Sequence, residues 1–206
     1  MQDNRRPIAS RSKRWAMELT TFLINRNISP NQISVASIGF AAMAATSMAA
    51  STGALASLSA IAFIQLRLIC NLLDGMVAIE GGKQSALGSL YNEFPDRIAD
   101  SLLIVALGYA AGDASLGWFA ALAAALTAYV RVFGGSLGLQ QTFAGPMAKQ
   151  HRMAVMTAGF ALNIPESLLF ATHHALYFAL VVIAAGSVVT CITRTRMIAR
   201  QLKEAV

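Results

Sequence analysis

Charge is scarce in this sequence. Only 13% of its 206 residues are Asp, Glu, Lys or Arg, where a soluble domain carries about 25%. Hydrophobic residues make up 56% and gather in several long runs, with mean hydropathy +0.56. That balance excludes an ordinary soluble domain and implies a polytopic membrane protein. Cysteine is nearly absent. Cys70 and Cys191 both fall inside apolar runs, which gives neither a disulfide framework nor a metal-ligand spacing. Acids are scarcer than bases, 10 against 16, for a net charge of +6 and a pI near 9.8. The bases flank apolar runs and form no aromatic-interleaved patch, so nucleic acid is excluded as a partner. Anionic headgroups and phosphates fit better. No internal repeat or low-complexity segment is visible, and no apolar core follows closely on the first charges, so no cleavable signal peptide is expected.

The chain therefore reads as one all-α membrane domain over residues 1–206. Residues 1–29 form a polar tail and a surface helix. Residues 30–197 form a six-helix bundle, and 198–206 a second tail. In the surface helix Trp15, Leu19, Phe22 and Leu23 recur at helical spacing, with Lys13, Arg14 and Glu18 elsewhere. This predicts an amphipathic helix in the membrane interface; a short helix packed on the bundle is the alternative. A spanning helix needs about 20 mostly apolar residues. Six such stretches are expected, at 31–51, 54–79, 88–111, 116–138, 147–163 and 175–197, the fifth short and followed by Pro165. Ser29 and Pro30 suit the cap and first position of the first of these.

Basic residues cluster on one side of this topology. Arg5, Arg6, Arg11, Lys13, Arg14 and Arg26 precede the first span; Lys83 lies between the second and third; Lys149 and Arg152 lie where the fourth-to-fifth connection enters the fifth; Arg194 and Arg196 lie at the tail end of the last, with Arg200 and Lys203 beyond it. The three opposite loops hold none. The positive-inside rule then places both termini in the cytoplasm, in the inner or plasma membrane if the cell is bacterial.

The stretch from Asn71 to Asp100, NLLDGMVAIEGGKQSALGSLYNEFPDRIAD, sets polar residues beside or inside two apolar runs. Ionisable groups at membrane depth mark functional sites by default. At about 100° per residue, Asn71, Asp74, Gly75 and Ala78 share one helix face, and Gly88, Asn92, Asp96 and Asp100 form a second stripe. Two such stripes on neighbouring helices set polar oxygens opposite one another, with Gly and Ala leaving room for a ligand. Pro95 is either a helix-interior proline, which would free the Tyr91 carbonyl, or a first-turn proline of a helix starting near Phe94.

These residues resemble the motif of the CDP-alcohol phosphotransferase family, D-x-x-D-G-x-x-A-R-x8-G-x3-D-x3-D. Asn71, Asp74, Gly75, Ala78, Ile79, Gly88, Asn92 and Asp96 keep every interval. Asn71, Ile79 and Asn92 replace Asp, Arg and Asp, and Glu93 follows Asn92 at once. The pattern N-x-x-D-G with N-E-x-x-D looks like a variant branch. The resemblance implies a transferase moving a phosphatidyl or other substituted phosphoryl group from a CDP-activated lipid, CDP-diacylglycerol foremost, to an alcohol in phospholipid synthesis, with release of CMP. It implies Mg²⁺ or Mn²⁺ held by Asp74, Asn71, Asn92, Glu93 and Asp96, and Asp96 as general base. Hard cations take oxygen ligands, which suits this set. An Asn supplies a neutral oxygen, so two charges are missing, and Glu93 or Asp100 would restore one. Pro30, Asn31, Ser34, Gly75, Ala78 and Gly88 fall on the CDP side of the motif. Ala128-Tyr129-Val130-Arg131 and the later Gly145-Pro146, Lys149 and His151-Arg152 resemble a second family pattern, which implies Arg131, Lys149 and Arg152 as acceptor-binding residues. Membrane lipids as partners and a homodimer are further expectations. The bland readings are an intramembrane ion pair of Asp74 or Asp96 with Arg67 or Arg97, and Asn71 and Asn92 as interhelical hydrogen-bonding groups. The rival functions are a catalytically degenerate member that binds nucleotide or lipid, and a small membrane carrier.

Overall fold

A computed structural model describes residues 13–204 as seven α-helices, with no strand among them. They are α1 (Arg14–Asn25), α2 (Pro30–Ala50), α3 (Ala54–Glu80), α4 (Gly88–Ala110), α5 (Ala114–Ser136), α6 (Lys149–Leu169) and α7 (His174–Glu204). Arg5, Arg6 and Arg11, counted above for orientation, lie outside the described residues. Short connections make successive helices antiparallel. The starts of α2, α4 and α6 and the ends of α3, α5 and α7 therefore share one end of the bundle. α2 packs on α3 and α4, α5 on α4 and α7, and α6 on α3 and α7.

Small residues bring the helices together. The core combines Ala41, Ala44 and Ala60 with Ile64, Leu103, Leu107, Met156, Phe160 and Leu180. At the turn between α4 and α5 a Cβ on Gly108 would lie 2.5 Å from Gly117 Cα, so this crossing admits no side chain at either position. The outward faces carry exposed Leu55, Leu58, Trp118, Phe119, Leu122 and Phe178. Such a continuous apolar exterior suits lipid. α2, α3, α5 and α7 are each long and apolar enough to cross a membrane. α4 carries Glu93, Asp96, Arg97 and Asp100 along its length, and α6 carries Lys149, Arg152 and Glu166.

Local sequence explains the boundaries. Ser29 Oγ accepts from Gln32 N while Gln32 Oε1 accepts from Ser29 N, a reciprocal cap that starts α2 with Pro30 in its first turn. Two helices run further than their apolar stretches. α6 continues past Pro165 to Leu169. Glu166 holds this last turn, accepting from Thr172 Oγ1 (2.8 Å), His174 N (2.6 Å) and Ala175 N (2.9 Å). α7 continues through the polar residues 198–204, which contain helix formers and no breaker. Pro95 lies inside α4, so the helix does not begin at Phe94.

α1 packs against α3. Ala16 is buried with Leu72 and Met76, and Leu19, Leu23 and Ile24 lie beside Ile33, Leu73 and Val77. Its Trp15, Met17 and Phe22 remain exposed. At the opposite end of the bundle a polar clasp joins two loops. Buried Asn163 donates to Thr52 O (2.7 Å) and Ser57 Oγ (2.9 Å), and His173 bridges Asn163 Oδ1 (3.0 Å) and Thr52 Oγ1 (2.7 Å).

Candidate active site

A cleft of about 570 Å³ opens at the end where α3 and α5 finish and α4 and α6 begin. One wall is apolar, formed by Trp15, Leu68, Ile69 and Leu72. The facing wall is charged: Glu93 and Asp96 stand against Arg97, Arg131, Lys149, Arg152 and Arg194. The lining thus carries five cationic side chains and two acids. The apolar wall adds room for a hydrocarbon portion, so the ligand that fits is amphipathic.

The orphan polar atoms point the same way. Among the described residues Arg67 Nε and Nη1, Asn71 Nδ2 and Arg152 Nε are buried donors without a hydrogen-bond partner, and Arg97 Nε has only Glu93 Oε1 at 3.4 Å. A buried donor without a partner carries the cost of its lost hydration. A ligand rich in acceptor oxygens removes that cost at those facing the cleft.

The charged side chains form two linked groups. In the inner group Asp100 is held between two arginines, Arg67 Nη2 at 2.6 Å from Oδ1 and Arg152 Nη2 at 2.8 Å from Oδ2. Arg152 also donates to Met147 O at 2.8 Å. Arg67, Arg152 and Asp100 are all buried. Arg67 reaches on to Asp96 Oδ1 at 3.6 Å, and Lys149 Nζ makes an ion pair with that same oxygen. In the outer group Glu93 accepts from Arg131 Nη2 at 2.8 Å and lies 3.4 Å from Arg97 Nε. Arg131 also donates to Gln141 Oε1 (3.0 Å) and stacks over Phe143, 5.3 Å from the ring centroid. The loop between α5 and α6 thus holds the Arg131 fork in place.

This geometry revises several expectations. Asp100 is not a substitute acid for the cleft, because both its oxygens are committed to buried guanidinium groups. Arg152, expected to bind the acceptor, is committed to Asp100 and Met147, and it contributes charge to the cleft floor. Glu93, expected as a metal ligand, is paired with Arg131. Arg194, counted above at the tail end of the last span, is buried in the bundle and donates to Ala144 O at 3.0 Å and Thr127 O.

Asn71, Asn92, Glu93, Asp96, Arg131, Lys149 and Arg152 all line the cleft; Pro30, Asn31, Ser34, Asp74, Gly75, Ala78 and Gly88 lie outside its walls. Asp74 is buried one turn beyond Asn71. It accepts from Ser34 Oγ at 2.8 Å and Gly75 N at 2.6 Å. A Cβ on Gly88 would meet nothing closer than 3.7 Å, so packing within the chain does not demand that glycine. Sequence reasoning did not find Arg97, Gln141, Phe143 or Trp15 as parts of the site. Arg97 had a signal, being next to Asp96 at the polar end of α4; the loop residues had none.

The fold and site define a helical membrane-protein class with a cleft lined by basic and acidic side chains at one end of the bundle. Three curated proteins are similar to this chain in sequence. The bifunctional IPC transferase and DIPP synthase of Rubrobacter xylanophilus is 33% identical over 156 residues, 73% of this chain and 35% of that protein. The phosphatidylinositol phosphate synthase of Streptomyces avermitilis is 28% identical over 89% of this chain and 78% of its own length. The archaetidylinositol phosphate synthase of Aeropyrum pernix is 38% identical over 49% of this chain and 52% of its own length. The chain thus spans about a third of the Rubrobacter protein and about half of the Aeropyrum one. No family model matches. Crystal structures of the Mycobacterium tuberculosis phosphatidylinositol phosphate synthase share the fold. The form with CDP-DAG bound has TM-score 0.76 at 17% identity, covering 90% of this chain and 94% of that one. The form with manganese and citrate has TM-score 0.74, covering 89% and 88%. The chain is thus similar in sequence to these synthases and shares its fold with the mycobacterial one.

Proposed function

We propose that the protein is a transferase that moves a phosphatidyl or similar substituted phosphoryl group from a CDP-activated lipid, CDP-diacylglycerol foremost, to an alcohol that itself carries a phosphate. The observation that carries this reading is the cleft's charge: five cations against two acids, facing an apolar wall. A lipid tail fits the apolar wall, and two phosphorylated ligands fit the surplus of donors. Relatives named for making phosphatidylinositol phosphate and archaetidylinositol phosphate support a phosphorylated polyol as acceptor.

In the reaction, the acceptor hydroxyl oxygen bonds to the lipid-side phosphorus while the bond from that phosphorus to the CMP oxygen breaks. CMP leaves with the bridging oxygen. Asp96 takes the hydroxyl proton as general base. Lys149 and Arg67 hold its carboxylate in place. Arg131 would turn its planar fork from Gln141 and Glu93 to the acceptor phosphate, a geometry a lysine does not reproduce. Lys149 adds a point charge, and Arg97, across Glu93 from Arg131, borders the same pocket.

A divalent cation fits the residues present. The donors along the two stripes are all oxygens, the chemistry of Mg²⁺ or Mn²⁺. Asp74 carries a buried carboxylate, and the Asn71 amide lies one turn away with an orphan N–H for a phosphate oxygen. Asp74 would hold the ion with Asn71 beside it; when bound, the ion neutralises diphosphate charge. No group of three or more His, Cys, Asp or Glu that could hold a metal occurs among the described residues, so phosphate oxygens and water would complete the shell.

In the membrane, we place six spanning helices, α2 to α7, with α1 in the interface and the cleft facing the cytoplasm. The exposed Trp15 and Phe22 of α1 support its interfacial position. A homodimer is part of the same proposal. Asp113, which caps α5 by accepting from Leu116 N at 2.9 Å, would then lie on the far side. A cysteine at that position is expected to react with an impermeant maleimide from outside intact cells. Reaction only after lysis would reverse the orientation. The transferase reading is tested by CMP release from CDP-diacylglycerol with phosphorylated and unphosphorylated polyols.

A further inference from the structure

A carboxylate of the same chain already sits on the Arg131 fork. Glu93 Oε2 accepts from Arg131 Nη2 at 2.8 Å, and Glu93 Oε1, which accepts no hydrogen bond, lies 3.4 Å from Arg97 Nε. Arg131 and Glu93 both line the cleft, their side chains 15% and 34% exposed, so a ligand there reaches the pair. The other partners of Arg131 are uncharged: Gln141 Oε1 accepts from Nη1, and the guanidinium stacks over the Phe143 ring. Gln141 is packed against α5, where a Cβ on Gly135 would lie 2.6 Å from its Nε2. Among the described residues Glu93 is the one acid paired with Arg131.

The sequence also supplies Glu93 with a second arginine. Arg97 stands one turn further along α4 on the same face, and it keeps an opposite charge beside Glu93 when Arg131 turns away. An exchange of partners at Arg131 therefore leaves no acid unpaired.

We propose that Glu93 is an internal anion that occupies Arg131 until a ligand phosphate replaces it, and that this competition selects doubly charged ligands over singly charged or neutral ones. Held on its helix, Glu93 competes at the effective concentration of an intramolecular group. A free carboxylate carries the same single charge without the tether, so it loses. A neutral hydroxyl has still less to offer. A phosphate monoester carries about −1.5 to −2 charges at pH 7 and three acceptor oxygens, enough to engage both arms of the fork. This inference rests on the transferase reading for the phosphate's belonging to the acceptor; the pairing of Glu93 with Arg131 stands on the geometry.

Calorimetric titration of inorganic phosphate into the detergent-purified protein tests it, at fixed pH and ionic strength, with no CDP-lipid or metal added. Glu93→Gln should tighten phosphate binding by about three- to tenfold, between the worth of an exposed ion pair and that of a hydrogen bond to a charged group. Glu93→Asp keeps the charge but shortens the reach by one methylene, so it should tighten phosphate in the same direction by less. In an Arg131→Gln background the gain from Glu93→Gln should disappear, because the fork that Glu93 blocks is gone. Acetate in the cell should weaken phosphate binding more in Glu93→Gln than in the unmodified protein. Each variant is compared only if it elutes as the unmodified protein does, and Glu93→Asp decides by itself if Glu93→Gln does not fold. Phosphate binding that is unchanged, weaker or absent in both Glu93 variants would overturn the proposal. So would a gain of equal size with and without Arg131, which reports only the net charge of the cleft, or an equal effect of acetate on both proteins. Phosphate binding governed by Glu93 in a protein that releases no CMP would support the internal anion and reject the transferase reading. CMP release by a protein whose phosphate binding ignores Glu93 would do the reverse.

Discussion

Asp96→Asn is expected to lower CMP release by about 10²–10⁴-fold, the usual contribution of a positioned general base, in a protein that remains folded and inserted. The asparagine keeps the shape of the side chain but cannot take the acceptor proton. Its oxygen still accepts from Lys149, so the cleft stays closed around the same hydrogen bonds. Asp74→Asn is expected to abolish CMP release as well, for a different reason. Ser34 and Gly75 can still donate to an amide oxygen, but the buried charge that would hold a cation is gone. The two variants should therefore separate in a metal titration: extra Mn²⁺ should partly restore Asp74→Asn and do nothing for Asp96→Asn. Full activity in Asp96→Asn would remove the general-base assignment.

The largest effect on stability is expected at Asp100, whose two carboxylate oxygens both accept from buried arginines. Its carboxylate is 3% exposed and accepts from Arg67 and Arg152, themselves 0% and 1% exposed. Asp100→Ala would leave the Arg152 guanidinium buried without its carboxylate partner, and Arg67 with only Asp96 at 3.6 Å. Breaking a buried pair in this way costs about 3–5 kcal/mol, because the remaining charge loses its compensation. The expected result is a large drop in thermal unfolding temperature in detergent, or loss of folded protein. Asp100→Glu should recover part of it by keeping the charge. A variant Asp100→Ala as stable as the unmodified protein would show that the arginines find other partners. Activity measured in surviving Asp100 variants would fall indirectly, since Arg67 is also the second cation on Asp96.

Much of this architecture is legible along the chain. Runs of apolar residues of about spanning length mark α2 to α7 to within a few residues, except where local interactions extend them: Glu166 carries α6 past Pro165, and helix-forming residues carry α7 to Glu204. The four-residue spacing of Asn92, Asp96 and Asp100 correctly puts them on one stripe. It does not say that Asp96 faces the cleft while Asp100 faces two buried arginines. That difference comes from pairings 33 and 52 residues apart in sequence, Asp100 with Arg67 and with Arg152. Glu93 is the same case: it directly follows the neutral Asn92, but Arg131 on α5 takes it. Arg194 sits in a basic segment like the flanking Arg196 and Arg200, yet its place on α7 turns it inward to Ala144 and Thr127. Charge patterning reveals which segments are polar, and the antiparallel packing of helices decides which charges meet.

The central claim is that the cleft transfers a phosphatidyl group to a phosphorylated alcohol. It is tested most directly by incubating the purified protein with CDP-diacylglycerol and Mg²⁺ or Mn²⁺, with inositol phosphate or unphosphorylated inositol as acceptor, and measuring CMP together with the lipid product. The expected result is CMP in step with a phosphorylated phospholipid, only with the phosphorylated acceptor, and a higher acceptor KM for Arg131→Lys with little change in the KM for CDP-diacylglycerol. No CMP with any acceptor and metal, together with activity switched on by Asn71→Asp plus Asn92→Asp, would contradict it and show a site that binds these ligands without reacting them.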